Sequence, residues 1–253
     1  MRFGIRQYIF VIRELTAREI KRKYARSVLG IVWSVLNPLL FMIVMSLVFG
    51  GFAPNRSKYP VFFITGYIIW TMFNVGTNTS LTVFVDNKNL FQRTKLPRGI
   101  FVLSRNYTAV VNLGYSLIAL LIVLIVFGIR LHYTLFFVFI DIFFELLFSI
   151  GVSYILSTIY VFYKDIKYIW KNIIVIFVHT IGVYIPVERY PVSLHHITKL
   201  NPLFVFSDIA RKCVLDGCVD FDQVIYMVTW SIMMFAIGIT VFKLNENAIV
   251  KEL

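Results

Sequence analysis

The chain has 253 residues, of which 59% are hydrophobic and only 15% charged, and its formal net charge is +12. A soluble domain carries about 25% charged residues, so composition argues against a water-dissolved globule and names lipid as the main solvent. In a soluble protein such basicity would point to nucleic acid; here the placement of the charges along the chain accounts for it without one.

The first apolar run begins late, is long, and lacks a small-x-small exit, which predicts no cleaved leader. Residues Phe3 to Ile12 mix basic and apolar character: Arg2, Arg6 and Arg13 stand among Ile5, Tyr8, Ile9 and Ile12. That pattern suits a helix lying in the membrane interface. A charged row follows, Glu14, Arg18, Arg22 and Arg26 at i,i+4 spacing, with Glu19 and Lys23 as a second pair. Acid before base at this spacing supports a helix.

Crossing about 30 Å of hydrocarbon takes roughly 20 apolar residues. No charged residue occurs between Arg26 and Arg56, between Lys58 and Asp86, or between Arg105 and Arg130. Span 1 is expected near Ile31–Phe52, bent at Pro38, and span 2 near Val61–Val85. Span 3 falls between Arg105 and Arg130. Span 4, Leu135 to Tyr163, is interrupted only by Asp141 and Glu145. Span 5, Ile173 to Ile185, is short, and span 6 covers Val224 to Phe242. With both termini in the cytoplasm, 18 Lys and Arg residues lie inside and seven outside, as the positive-inside rule requires.

Span 2 carries Tyr67, Trp70, Thr71, Asn74, Thr77 and Asn78 on one face. Such groups either bond neighbouring helices or line a polar path. In "DNKNLFQRTKLPRG", residues 86–99, Asp86 or Asn87 can cap a short helix that Pro97 and Gly99 end. It carries Leu90 and Phe91 among Lys88, Arg93 and Lys95. Exposed apolar residues in a cytoplasmic loop suit docking on a partner or on headgroups. In span 4, Asp141, Glu145, Ser149, Ser153 and Ser157 recur every four residues. The serines suit close helix packing. The acids suit an ion pair with Arg130 or His179, a bound cation, or catalysis.

Pro186 stops span 5. Asn201-Pro202 then offers an N-cap and a proline at the first helical position, and Asp216-Gly217 a stop. Two short helices are expected, 192–200 and 202–215, as re-entrant or surface-lying elements before span 6. Cys213 and Cys218 make no metal site, and a disulfide and free thiols are both open readings.

In order along the chain, these features resemble the permease subunits of ABC transporters that export O-antigen, capsule or teichoic acid chains. "REIKRKYARSVLGIVWSVLNPLL", residues 18–40, matches the family's charged helix, its small-x-Leu-Gly turn (Ser27, Leu29, Gly30), and its Trp-containing first span ending in Leu-x-Pro-Leu (Trp33, Leu36, Pro38, Leu39). "NLFQRTKLPRGIFVLS" is similar to the coupling segment, "VFYKDIKYIW" to the loop before span 5, and "LNPLFVFSDIAR" to the outer helix before span 6. The family's "SP" dipeptide in span 5 is replaced by "TIGVYIPV".

The resemblance implies an all-α integral membrane protein. Residues 1–253 would form one transporter domain: interface helices at 1–30, spans 1–5 at 31–185, outer re-entrant helices at 186–221, and span 6 with a cytoplasmic tail at 222–253. It implies a homodimer in the bacterial cytoplasmic membrane, working with two copies of an ABC ATPase subunit on a lipid-linked polysaccharide. Glu19, Arg22, Lys88, Leu90, Phe91, Arg93 and Lys95 would contact the ATPase. Trp33, Asn37, Tyr67, Trp70, Asn74, Asn78 and Tyr184 would line the path. Pro186, Asn201, Pro202 and Phe206 would form an outer gate. The chain contains no G-x-x-x-x-G-K-[ST] segment, so ATP and Mg would be bound by the partner. Two other readings stay open: a permease for a drug or small lipid, and an integral membrane enzyme acting on glycolipids through Asp141 and Glu145.

Overall fold

The computed structural model describes residues 4–25, 27–52, 55–93 and 96–252, the side chains of 52 and 91–93 aside, and contains no strand among them. In chain order the helices are α1 (Ile5–Tyr24), α2 (Trp33–Phe49), α3 (Tyr59–Leu81), α4 (Val83–Asp86), α5 (Lys88–Arg93), α6 (Ile100–Val126), α7 (Leu135–Phe162), α8 (Ile166–Thr180), α9 (Val192–Lys199), α10 (Pro202–Arg211) and α11 (Phe221–Glu252). Five are long and apolar enough to cross a membrane: α2 with its preceding turn, α3, α6, α7 and α11. α8 starts seven residues before the expected Ile173 and holds 15 residues. At 1.5 Å per residue that is about 22 Å, short of the hydrocarbon thickness.

Packing distances fix the directions. Phe137 meets Phe221 at 6.4 Å and Tyr154 meets Phe242 at 5.0 Å, so α7 and α11 run parallel. The chain must therefore return between them. α8 makes that return against α3: Trp170 lies 6.2 Å from Phe73, and further on Tyr184 lies 6.1 Å from Phe63. α3 is the central helix, and 16 of its 23 residues are buried. It packs on α2, α6, α7, α8 and α10.

One buried amide ties three helices together. Asn106 Nδ2 donates to Ser80 Oγ and Ser153 Oγ, both at 3.1 Å, and Ser149 Oγ donates to Asn106 Oδ1 at 2.8 Å. The serine row of α7 thus serves helix packing, and this network is satisfied on both sides of the amide.

Both termini lie at the same end of the bundle. Arg98, before α6, is 3.6 Å from Glu246 near the end of α11. Ile249 is fully buried in a cluster that includes Tyr8, Ile12 and Phe84. α11 thus stays helical ten residues beyond the expected Phe242; its lysines and acids change the solvent around it and leave the helix intact.

α9 and α10 begin at Val192 and Pro202, the expected starts, and for α10 the Asn201 cap accounts for it. Asn201 Oδ1 accepts from Leu203 N–H at 3.0 Å. α10 gives way at Lys212 to a wider turn that Gly217 closes with φ +65°. Yet α10 is no surface cap: all of its residues except Pro202 and Asp208 are buried against α3, α7 and α11. Asn201→Ala should lower stability by about 1 kcal/mol, read as a lower thermal midpoint in detergent.

Candidate functional site

α3 is buried on most sides but leaves one row uncovered. Tyr67, Thr71 and Asn74 are half-buried and Asn78 is exposed, at the i,i+4,i+7 spacing of a single face. Thr71 Oγ1 donates to Tyr67 O at 2.6 Å, and Asn78 Nδ2 to Asn74 O at 3.0 Å. These groups are satisfied within α3 and need no neighbouring helix, so the face can stay open to a polar guest.

The row is continued by aromatic rings. Tyr67 stacks on Phe63 at 5.3 Å and lies 5.2 Å from Phe41 of α2. Tyr184 stacks on Phe63 at 6.1 Å and on Phe49 at 6.2 Å. Tyr59 Oη donates to Tyr184 O at 2.7 Å, fixing the segment after α8 to the start of α3. A polar strip at the terminal end therefore passes into an aromatic wall at the far end, between α2 and α8. Stacked and hydroxyl-bearing rings of this kind offer flat apolar faces with polar rims. The sequence carries the signal in the i,i+4 pair Phe63–Tyr67, but the span 2 pattern alone does not single it out.

The expected path residues divide. Tyr67, Asn74, Asn78 and Tyr184 belong to this surface. Trp33 and Asn37 are exposed on α2, at the end of that antiparallel helix level with Asn74 and Asn78. Trp70 departs from the group. It is 4% exposed and packs on Phe73 at 6.0 Å, which makes it core. It lies roughly 70° around α3 from the row's centre line, which turns it inward.

The expected gate residues are also corrected in part. Asn201 and Pro202 start α10 as expected, and Pro186 is buried. Phe206 is fully buried against Phe148, at 5.7 Å, and faces no opening. Arg211, at the end of α10, is the residue sequence reasoning missed. Its guanidinium donates to Phe62 O at 3.1 Å and Val183 O at 3.3 Å and lies over the Phe62 ring at 3.8 Å.

At the terminal end α1 packs along α6. Thr16 Oγ1 donates to Ser104 O at 3.2 Å, and Thr108 Oγ1 to Glu19 Oε2 at 3.2 Å. Glu19 is also ion-paired with Arg105, whose other nitrogen is 3.8 Å from Asp86. Glu19 is thereby committed inside the chain, and with Arg22 it lines a cleft between α1, α3 and α6. Lys88 is exposed, while Leu90 is half-buried on the cluster that holds α1 and α11, so its apolar side chain has an internal use. Lys95 and the side chains of Phe91 and Arg93 lie outside the described residues.

Asp141 and Glu145 are buried on α7, and none of their four oxygens has a hydrogen-bond partner among the described residues. Arg130 and His179 are exposed and pair with neither; His179 Nδ1 instead sits 2.7 Å from Val175 O. The expected ion pair is absent among the described residues, and no group of three potential metal ligands occurs there either. Cys213 and Cys218 are free thiols.

Residues 11–215 match the family model described as ABC-2 type transporter. The chain is 25% identical over 246 residues to an O-antigen export system permease protein, RfbA, of Klebsiella pneumoniae, covering 96% of this chain and 94% of that one. It is 28% identical over 185 residues to RfbA of Myxococcus xanthus, covering 72% and 70%. It is 20% identical over 236 residues to the capsule polysaccharide export inner-membrane protein CtrC of Neisseria meningitidis serogroup A, covering 91% and 89%. The chain belongs to the ABC-2 type transporter family.

Proposed function

We propose that this chain is the permease subunit that passes a lipid-linked cell-surface polysaccharide of the O-antigen, capsule or teichoic acid class across the bacterial cytoplasmic membrane. The observation that carries this reading is the end-to-end likeness to O-antigen export permeases in a chain whose central helix keeps a polar and aromatic strip uncovered. Two copies of the chain would face their strips toward each other. Sugar hydroxyls would meet Asn74 and Asn78, and sugar faces would meet Tyr67 and Tyr184.

The end bearing both termini is cytoplasmic in this reading, because most of the basic residues lie there. The chain then crosses six times, with α8 and the residues up to Tyr184 completing the fifth crossing. Both termini share one end of the bundle, as an even number of crossings requires. A separate ATPase subunit, two copies per dimer, binds ATP and Mg and supplies the energy. It seats on α5, where Lys88 points outward and Leu90 anchors the helix to α1 and α11. In this arrangement Glu19 acts from within, holding α1 to α6.

Two variants separate these roles. Lys88→Glu should fold normally yet lose about tenfold in ATPase association, since reversing a charge at an interface rim costs on the order of 1–2 kcal/mol. Leu90→Asp should lose folded protein, because it buries an unpaired acid. Co-purification of the ATPase and gel-filtration yield read the two outcomes. For the path, cysteines at positions 74 and 78 should react with aqueous thiol reagents during turnover, and cysteines at the lipid-facing positions 43 and 47 should not. Silence at 74 and 78 from both sides of the membrane contradicts the path.

A further inference from the structure

Between α1, α3 and α6 lies a cleft of about 710 Å3. It belongs neither to the strip on α3 that faces α2 and α8 nor to α5. Successive turns of α1 climb α6: Thr16 meets Ser104, and Glu19 meets Arg105 and Thr108. This brings Arg22 and Lys23 to the height of Asn112 on the cleft wall.

The charges there do not balance. The two acids of the cleft, Glu19 and Asp86, are engaged by Arg105, by Thr108 and by Thr82. Arg18, Arg22 and Lys23 also line it, and none has a carboxylate within 4.0 Å among the described residues. The cleft thus holds four cationic side chains, Arg18, Arg22, Lys23 and Arg105, against two acids, Glu19 and Asp86.

The surroundings say where a guest lives. Ile5, Ile9 and Phe10 of α1 are exposed on the side away from the bundle, as in a helix seated at the headgroup level. Beside the cleft, a hollow of about 420 Å3 is lined by Ile20, Lys21, Tyr24, Ala25, Gly30 and Ile31. A cationic cleft beside an apolar hollow, the two sharing Ile20 as a wall, matches a lipid with an anionic headgroup.

We infer that this cleft binds an acidic glycerophospholipid. Its phosphate lies against Arg22 and Lys23, and one acyl chain enters the hollow. The bound lipid fastens α1 to α6. It is a resident of the membrane, distinct from the cargo, and the site stands whether or not the cargo is a polysaccharide.

The test uses the full-length permease purified without its ATPase in mild detergent, with bound lipid counted by native mass spectrometry. Phosphatidylglycerol and phosphatidylcholine are titrated against the wild type, R22Q/K23Q and R6Q/R13Q. Each basic side chain at an anionic lipid contributes roughly fivefold, so R22Q/K23Q should weaken phosphatidylglycerol binding by about thirtyfold. R6Q/R13Q removes the same charge from the same helix outside the cleft and should stay near the wild-type value. Gel filtration shows whether each variant is folded, and the exposed Arg22 and Lys23 remove no core. Equal loss in the two double variants, equal retention of phosphatidylcholine, or displacement by inorganic phosphate at matched concentration would each overturn the assignment. The last outcome would make the ligand a free phosphate.

Discussion

Gly151→Leu should leave almost no folded protein, whereas Gly114→Leu should be recovered at wild-type yield. Both glycines sit in long apolar helices, so composition does not separate them. At Gly151 of α7 an added Cβ would lie 2.5 Å from the carbonyl carbon of Met234, and at Gly238 of α11 it would lie 2.7 Å from Gly151 Cα. The two helices touch backbone to backbone there, a close approach that small residues allow in membrane bundles. Overpacking against side chains costs about 1–3 kcal/mol because rotamers give way. Backbone cannot give way without parting the helices along their length, so the cost at Gly151 exceeds that range. Gly114 has nothing within 4 Å of its Cβ position. Gel-filtration yield and thermal midpoint measure the pair, and equal yields would contradict the parallel α7–α11 contact.

The second large effect is expected at Gly66. A Cβ there would lie 2.6 Å from Cζ of Arg211, so Gly66→Leu must expel a guanidinium that is 4% exposed. Expulsion takes the charge off the Phe62 and Val183 carbonyls inside a low-dielectric interior, where an uncompensated charge costs several kcal/mol. α10 would lose its hold on α3. Arg211→Met removes the charge along with its donors and leaves two acceptors short, at about 1–3 kcal/mol each at most. The order Gly66→Leu worst, Arg211→Met next and Asn201→Ala mildest is the expected ranking of thermal midpoints. A Gly66→Leu protein as stable as Asn201→Ala would mean that Arg211 does not anchor α10.

What was legible in the sequence was what depends on local chemistry. The long charge-free runs became α2, α3, α6 and α11, and the apolar run interrupted by Asp141 and Glu145 became α7. The Asn201-Pro202 cap and the Gly217 stop set the limits of the outer helix within a few residues, because caps and left-handed glycines act over one turn. Elements whose limits depend on distant partners were not legible. Lys167 and Lys171 interrupt hydropathy but not helix geometry, so α8 begins at Ile166 rather than Ile173. Lys243 and Glu246 do the same for the end of α11.

For the site, the face of α3 was visible in its polar spacing, but which members look outward was decided by α6, α7 and α10. That is why Tyr67, Asn74 and Asn78 stay open while Trp70 is core. Glu19 finds Arg105 86 residues away, and Arg211 finds Phe62 across 149 residues. No periodicity within one helix encodes such pairs. The same limit applies to Phe206, whose partner, Phe148, makes an expected gate residue core.

The most direct measurement is made on inverted membrane vesicles that hold this chain, its ATPase and a lipid-linked polysaccharide made on the cytoplasmic face. Glycosidase added outside digests whatever has not crossed. The account predicts that ATP renders the polymer resistant to digestion until detergent opens the vesicles, and that vesicles lacking this chain, or carrying Lys88→Glu, gain little resistance. Polymer protected to the same extent without the chain, or left fully digestible with the chain and ATP present, would contradict it.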